Sequence, residues 1–95
     1  MIDLQFEDDI GRVTRGGVSV MLPKSRYRLL RVLADANGEM VKSRDIVAKV
    51  YGHPDDRSVV LIRVQVAKVR KAIAPLGLEI VGVKQLGYGL AEARI

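Results

Sequence analysis

Basic side chains are the residues of this sequence best suited to chemistry, and they gather towards its C-terminal end. The chain of 95 residues carries a net charge of +5, from 16 lysines and arginines against 11 acids. Residues 57–95 hold seven of the bases but only two of the acids, so this part alone accounts for the positive excess. Such a region attracts polyanions, either nucleic acid or an acidic membrane surface. Charge alone fits an ordinary solvated surface equally well.

Groups that could support catalysis or bind a metal are sparse. The chain has no cysteine and a single histidine, His53, so neither a thiolate zinc site nor a second imidazole ligand is available. No glycine-rich phosphate loop of the P-loop or dinucleotide type occurs. The acid pairs Asp8-Asp9 and Asp55-Asp56 are predicted beside loops, where carboxylates usually face water. We therefore expect no enzyme, no cofactor, no metal site and no small-molecule substrate.

Length and composition predict one soluble domain. Hydrophobic residues make up 48% of the chain and charged residues 28%, as is typical of globular proteins. The longest apolar runs, such as residues 59–62, are too short to cross a bilayer, and the acidic start lacks a secretory signal. We expect a single cytoplasmic domain over residues 1–95, with an N-terminal sheet (1–22), a three-helix core (23–73) and a hairpin (78–92).

The elements that must position the basic residues follow from periodicity. Residues 4–6, 12–14 and 18–22 are predicted strands, with Gly16-Gly17 as a tight hairpin turn. A helix over residues 25–36 is predicted to end at Asn37-Gly38, and residues 40–41 suit a very short strand. Ser25 and Ser43 are predicted to cap the first and second helices, and the second helix turns Ile46, Val47, Val50 and Tyr51 inward.

The third predicted helix, over residues 58–73, carries the strongest pattern. Its apolar residues recur at intervals of three and four and predict a buried stripe of Val59, Ile62, Val66, Val69 and Ile73. At about 100° per residue, Val64, Lys68 and Lys71 fall on the opposite face. A hairpin over residues 79–90, with residues 84–87 at its tip, is predicted to follow.

Five passages of the sequence, in order, resemble the effector domain of OmpR/PhoB-family response regulators over nearly the full length. They are LPKSRYRLL (22–30), NGEMVKSR (37–44), VYG (50–52), IRVQVAKVRKAI (62–73) and VGVKQLGYGL (81–90). The fourth is similar to the family's recognition helix and the fifth to its closing wing. The resemblance implies an α+β winged helix-turn-helix fold: three helices, a small N-terminal antiparallel sheet and a C-terminal β-hairpin wing. We expect the domain to lack the family's phosphoacceptor receiver domain.

Several positions depart from the family pattern. Arg26 and Arg63 stand where acids are usual, and Pro23 where a threonine precedes the first helix. The wing carries Lys84 for arginine, with Gln85 and Gly89 also unusual. We expect the fold to survive these changes and the DNA sequence read by the domain to differ.

The resemblance implies a sequence-specific transcription regulator that binds double-stranded DNA. Helix 58–73 would enter the major groove, and wing residues 84–87 would contact the minor groove or backbone. The expected base-reading residues are Val64, Gln65, Lys68 and Lys71, with Val64 against a thymine methyl. The expected phosphate contacts are Lys42, Ser43, Arg44, Arg57, Arg63 and Arg70. The expected wing contacts are Lys84 and Gln85.

Protein partners are also implied. In the resembled family the loop after the second helix touches RNA polymerase, which here points to His53, Asp55 and Asp56, and head-to-tail homodimers bind direct repeats. The alternative function is a docking or anti-activator module that does not bind DNA specifically, since Val60, Leu61 and Val64 would suit a protein surface as well as they suit thymine methyls. Salt dependence separates the two functions, because DNA binding weakens as salt rises and apolar docking does not.

Overall fold

The structure, a computed structural model, describes residues 2–52 and 56–93, and for residues 56–58 it describes the backbone alone. Three strands come first, β1 (Gln5–Glu7), β2 (Arg12–Arg15) and β3 (Val18–Met21). Three helices follow, α1 (Lys24–Asp35), α2 (Ser43–Tyr51) and α3 (Asp56–Ile73). A short 3-10 turn (Ala74–Leu76) leads into the closing hairpin of β4 (Leu78–Val83) and β5 (Gly87–Glu92). This order confirms the predicted winged helix, with α3 beginning two residues earlier than expected.

The N-terminal sheet covers one side of the helices. Its strands are antiparallel in the order β1-β2-β3, and Phe6, Val13 and Val20 pair across it. Val13 is fully buried and its two neighbours pack against the core, so this row is the inner face of the sheet. Gly16 and Gly17 form the predicted tight turn, at φ values of 56° and 83° that glycine adopts without strain.

The core lies where the three helices meet. Four residues of the predicted α3 stripe are at most 1% exposed: Ile62, Val66, Val69 and Ile73. Val59, at the N-terminal end of the stripe, is only half-buried. The prediction that Tyr51 faces inward was wrong, because its side chain is 40% exposed. On α2 it lies about 90° around the helix from the centre of the buried Ile46–Val50 face, and α2 ends there.

The helix caps differ from the prediction. Ser43 is the first residue of α2 and makes no capping hydrogen bond; the cap position belongs to Lys42, in an extended conformation. The Lys42 carbonyl accepts the first helical hydrogen bond from the Ile46 amide at 3.0 Å, which is why the helix begins one residue earlier than a serine cap would allow. Likewise Pro23, and not Ser25, occupies the cap of α1 without a side-chain hydrogen bond.

The closing hairpin is fixed to the segment before α2. Val41 forms an isolated bridge with Tyr88, with N–O distances of 2.7 and 2.9 Å, at the predicted short strand. Gly87 has φ 108°, and a Cβ there would lie 2.0 Å from the Val41 carbonyl oxygen, so only glycine fits this approach. Because Val41 lies two residues before α2, the bridge places the wing beside the N-terminal end of that helix.

A second set of contacts joins the N-terminal sheet to the C-terminal part of the fold. Arg15 of β2 donates from Nη1 to the Leu76 carbonyl at 2.8 Å, and its Nη2 pairs with the Glu92 carboxylate. Its side chain is 25% exposed, so these bonds are partly shielded from water. Arg15 therefore holds the N-terminal sheet against the base of the wing.

Candidate nucleic-acid interface

The face of α3 opposite its buried stripe is open to solvent. Val60 is 70% exposed and Val64 is 49% exposed, and Lys68 and Lys71 further along the helix are also exposed. These positions recur at helical spacing, so they form one continuous surface, as the sequence pattern predicted for residues 64, 68 and 71. Neither lysine makes a hydrogen bond or ion pair with another residue in the described part of the chain.

An open groove of about 920 Å³ lies between α3, the wing and the N-terminal end of α2. We call it the basic groove, because five cations and no acid line it among the described residues. Its lining comprises Lys42, Ser43, Arg44, Arg63, Arg70, Gly82, Val83, Lys84, Gln85, Gly87 and Tyr88. Fields from cations on three separate elements add within such a concave surface, which attracts an extended polyanion.

The basic groove brings together most of the predicted backbone-contacting residues. Its lining includes five of the six expected phosphate contacts and both expected wing contacts. The sixth, Arg57, belongs to the first turn of α3, and its side chain is outside the described residues, as is that of Asp56. His53 and Asp55, expected to contact RNA polymerase, also lie outside the described residues.

Arg70 links α3 to the wing, a contact that sequence reasoning missed. Its Nε donates to the Ile80 carbonyl of β4 at 3.0 Å. A Cβ at Gly82 would lie 3.1 Å from the Tyr88 ring and 3.4 Å from Arg70 Nη2, so the missing side chain leaves room for both groups. Arg70 thus fixes the angle between helix and wing as well as lining the groove. The available signal was Gly82 itself, since glycine within a strand often marks a close approach.

Gln65 lies apart from the other predicted base-reading residues. It is half-buried, and its Oε1 accepts a hydrogen bond at 3.2 Å from the Nε of Arg26 on α1. Its carboxamide therefore faces α1, and contact with a base would require this hydrogen bond to be exchanged.

A second groove, of about 880 Å³, lies between the β1–β2 turn, α1 and the end of α2. We call it the acid-bearing groove, because three aspartates line it beside four cations. The aspartates are Asp8, Asp9 and Asp35, and the cations are Lys24, Arg28, Arg31 and Lys49. Mixed charge of this kind cancels over short distances, so the groove does not complement a polyanion.

Two aspartates of the acid-bearing groove form hydrogen bonds or ion pairs with neighbouring side chains. Asp8 accepts a hydrogen bond from the Tyr27 hydroxyl and pairs with Arg31 at 3.0 Å. Arg31 also lies 4.7 Å over the Phe6 ring and 3.7 Å from Asp35. Burial raises the pKa of Tyr27 above its usual value, and the hydrogen bond to Asp8 adds to this. These contacts attach the first turn of the chain to α1.

Residues 2–52 and 56–93 contain neither a metal-binding cluster nor a membrane-spanning helix. Within these ranges no three acidic, histidine or cysteine side chains come close enough together to hold a metal ion. Among the helices of the same ranges, none is long and apolar enough to cross a membrane.

The chain is similar to known regulatory proteins. A family described as "transcriptional regulatory protein, C terminal" matches residues 17–90. The DNA-binding domain of the response regulator AdeR, solved in complex with an intercistronic region, superposes with a TM-score of 0.78 at 16% identity, covering 97% of both chains. No individually curated protein is significantly similar in sequence.

Two further solved structures share the fold. The DNA-binding domain of Escherichia coli CadC gives a TM-score of 0.74 at 20% identity, covering 96% of this chain and 88% of that one. The DNA-binding domain of Bacillus subtilis CssR gives 0.76 at 20% identity, covering 94% of this chain and all 100% of that one. At such identities the likeness establishes the winged-helix fold.

Proposed function

Because the chain belongs to the family of transcriptional regulatory protein C-terminal domains, we propose that it regulates transcription by binding double-stranded DNA in a sequence-specific manner. The observation that carries this proposal is the basic groove beside the exposed face of α3. A duplex offers two matching features, a major groove that admits an α-helix and phosphate backbones that border it. AdeR, of the same fold, was solved with an intercistronic region.

The exposed face of α3 supplies the base contacts in this proposal. Lys68 and Lys71 extend from it without a partner among the described residues, so they are available to the O6 and N7 acceptors of guanine. Val64 has no polar side-chain atom and can contact only an apolar edge. Gln65 joins this set by exchanging its bond to Arg26 for one to adenine.

The basic groove supplies the backbone contacts. Lys42, Ser43 and Arg44 approach from the N-terminal end of α2, and Arg63 and Arg70 from the flank of α3. Lys84 and Gln85 line the groove from the wing, which in this proposal reaches the minor groove or the backbone. We include Arg57 among the phosphate contacts by its position in the first turn of α3. Neutralising phosphates releases counterions, so affinity falls steeply with salt.

Further parts of the proposal rest on the resemblance to the OmpR/PhoB family. We propose one winged-helix domain over residues 1–95 that acts in the cytoplasm and has no catalytic activity. It would bind direct repeats as a head-to-tail homodimer, with the loop of His53, Asp55 and Asp56 available to RNA polymerase.

The first test is fluorescence-anisotropy binding to a pool of random duplexes at two salt concentrations. We expect salt-dependent binding by the wild type and much weaker binding by Lys68→Ala/Lys71→Ala. Both residues are exposed and alanine favours helix, so this variant should fold normally. Selection of the bound pool then gives the preferred sequence.

The matched control is Lys24→Ala/Lys49→Ala, which removes the same charge from the acid-bearing groove and should bind nearly as well as the wild type. Equal losses in both variants would mean that net charge alone drives binding. No binding at low salt would contradict the proposal and leave α3 as a docking surface for a protein.

A further inference from the structure

Three large apolar side chains lie exposed together near the N-terminal end of α3. Val60 is 70% exposed, Leu61 52% and Val64 49%. We call them the apolar patch. Single exposed aliphatic residues are common and need no explanation. Three within five positions of the helix that faces the proposed ligand indicate a surface that is covered when the ligand is bound.

The surroundings of the apolar patch select the kind of ligand. Arg63 lies within the same turns and opens into the basic groove, and Lys68 follows Val64 by one helical turn. A ligand that covers the patch must therefore also accept cations on its borders. A DNA major groove has this character, because apolar methyl groups lie along its floor and phosphates along both rims. A purely apolar protein surface would leave these cations without partners.

We propose that the apolar patch reads the C5-methyl groups of thymines, so that the target of this domain contains a thymine-rich segment. This inference rests on the proposed function and adds to it the class of sequence that is read. Aliphatic side chains can neither donate to nor accept from base edges, and the thymine methyl is the apolar group that the major groove presents. The other three bases would be disfavoured at the contacted positions, because none of them carries a methyl group that the patch can cover.

Helix geometry sets the spacing of the target. Val60 and Val64 are four residues apart, about 6 Å along the helix axis at about 1.5 Å per residue. Successive base pairs are about 3.4 Å apart, so the two valines span about two base-pair steps. Lys71 lies seven residues beyond Val64, about 10.5 Å or three steps further. We therefore expect thymines within about two steps of each other, with a guanine about three steps beyond them.

The test uses duplexes selected from the random pool and synthesised again with deoxyuridine in place of thymidine. Uracil keeps every hydrogen-bonding group of thymine and lacks only the methyl. We expect the wild type to bind the uracil duplex about fourfold more weakly for each methyl covered, hence about fifteenfold for two. Val60→Ala/Val64→Ala, which removes two of the three patch side chains, should show a much smaller preference for thymine than the wild type. It should also fold normally, since both side chains are exposed and alanine favours helix.

Two controls make the outcomes distinct. Val18→Ala removes a valine of β3 that is 43% exposed, close to the 49% of Val64, and lies outside the lining of the basic groove; it should keep the wild-type preference for thymine. A duplex with uracil confined to the flanks should bind as well as the thymine duplex.

Equal wild-type binding to thymine and uracil duplexes, at salt-dependent affinity, would overturn the thymine inference and leave the proposed function standing. A thymine preference of undiminished size in Val60→Ala/Val64→Ala would also overturn it, by assigning the methyl contact to residues outside the patch. No binding to either duplex would overturn both proposals together.

Discussion

The basic groove and the acid-bearing groove are similar in size, about 920 and 880 Å³, and carry similar numbers of cations. They differ in their acids, since among the described residues three aspartates line the acid-bearing groove and none lines the basic groove. Where aspartates are present, a cation such as Arg31 contacts them and helps to hold α1 against the first turn of the chain. The difference teaches that the partners of a basic residue, more than its presence, determine whether it serves the fold or a ligand.

The same contrast, between a basic residue bonded within the fold and one left open to a ligand, holds for two arginines that do not contact these aspartates. Arg15 has three hydrogen-bond acceptors within reach, at Leu76, Gly77 and Glu92, and acts within the fold. Arg63, exposed in the basic groove, makes no such contact with another described residue. Replacing Arg15 is therefore expected to change the stability of the fold, and replacing Arg63 to change the affinity for DNA.

The largest effect should come from Gly87→Ala, which dismantles the basic groove and leaves the acid-bearing groove intact. The new Cβ would meet the Val41 carbonyl oxygen at 2.0 Å and displace the wing from the segment before α2. With the strain at φ 108° and two lost hydrogen bonds, we expect the free energy of unfolding to fall by about 3 kcal/mol. Urea denaturation measures this loss, and anisotropy should show weaker DNA binding.

Gly16→Ala is the control for backbone conformation alone. Gly16 also has positive φ, 56°, but a Cβ there would have no atom within 4 Å. Gly16→Ala should lower the free energy of unfolding by about 1 kcal/mol and leave DNA binding unchanged. Similar costs for the two variants would contradict the close packing of the wing against Val41.

The second prediction compares Arg15→Ala with Arg63→Ala. Loss of the partly shielded bonds of Arg15 should lower the free energy of unfolding by about 2 kcal/mol with DNA affinity unchanged. Arg63→Ala should leave stability within about 0.5 kcal/mol and reduce affinity about eightfold at about 0.1 M salt, as expected for one phosphate contact. Urea titrations and salt-dependent anisotropy on both variants test this. If Arg63→Ala destabilised the fold, Arg63 would belong with Arg15 among the structural arginines.

The smallest effect concerns Tyr27, whose hydroxyl donates to Asp8. Tyr27→Phe should lower the free energy of unfolding by about 1 kcal/mol near neutral pH. The folded state holds the Tyr27 proton more tightly than the unfolded state, so wild-type stability should decline as pH rises above about 10, where the unfolded tyrosine ionises.

The Phe variant removes the Tyr27 contribution to this decline. Urea midpoints between pH 8 and pH 11 measure it, with Tyr51→Phe, at an exposed site, as the control that keeps the wild-type decline. Parallel pH profiles for the wild type and Tyr27→Phe would show that the buried hydroxyl has no such role. DNA affinity at pH 7 should be the same in all three proteins.

Much of the fold could be predicted because it follows from local patterns. The spacing of Ile62, Val66, Val69 and Ile73 fixes the buried side of α3, and thereby the exposed side as well. Gly16-Gly17 fixes a turn by backbone conformation alone. The prediction that Ser25 and Ser43 cap α1 and α2 was wrong, because Pro23 and Lys42 occupy the cap positions. Both take extended conformations, which the preference of serine for caps does not reveal.

The candidate site could be predicted only in part, because a groove joins residues that are distant in sequence. Charge and resemblance pointed to Lys42, Arg63 and Lys84, but only the folded chain shows that they line one groove, in which no described residue is acidic. The bond between Gln65 and Arg26 spans 39 residues and leaves no periodic signal. The contact of Arg70 with the Ile80 carbonyl involves a backbone atom, which side-chain types do not encode.

The long-range hydrogen bonds of Arg15 have a consequence for how the chain folds. Among the described residues, the strands β1 to β5 pair only with their neighbours in sequence, and such hairpins form within microseconds. Arg15, by contrast, contacts residues 61 to 77 positions away, so its bonds form only after the chain between them has become compact. Bonds absent from the transition state slow unfolding without speeding folding. Arg15 should therefore act mainly on the lifetime of the native state, and its removal should accelerate unfolding while the rate of folding stays almost constant.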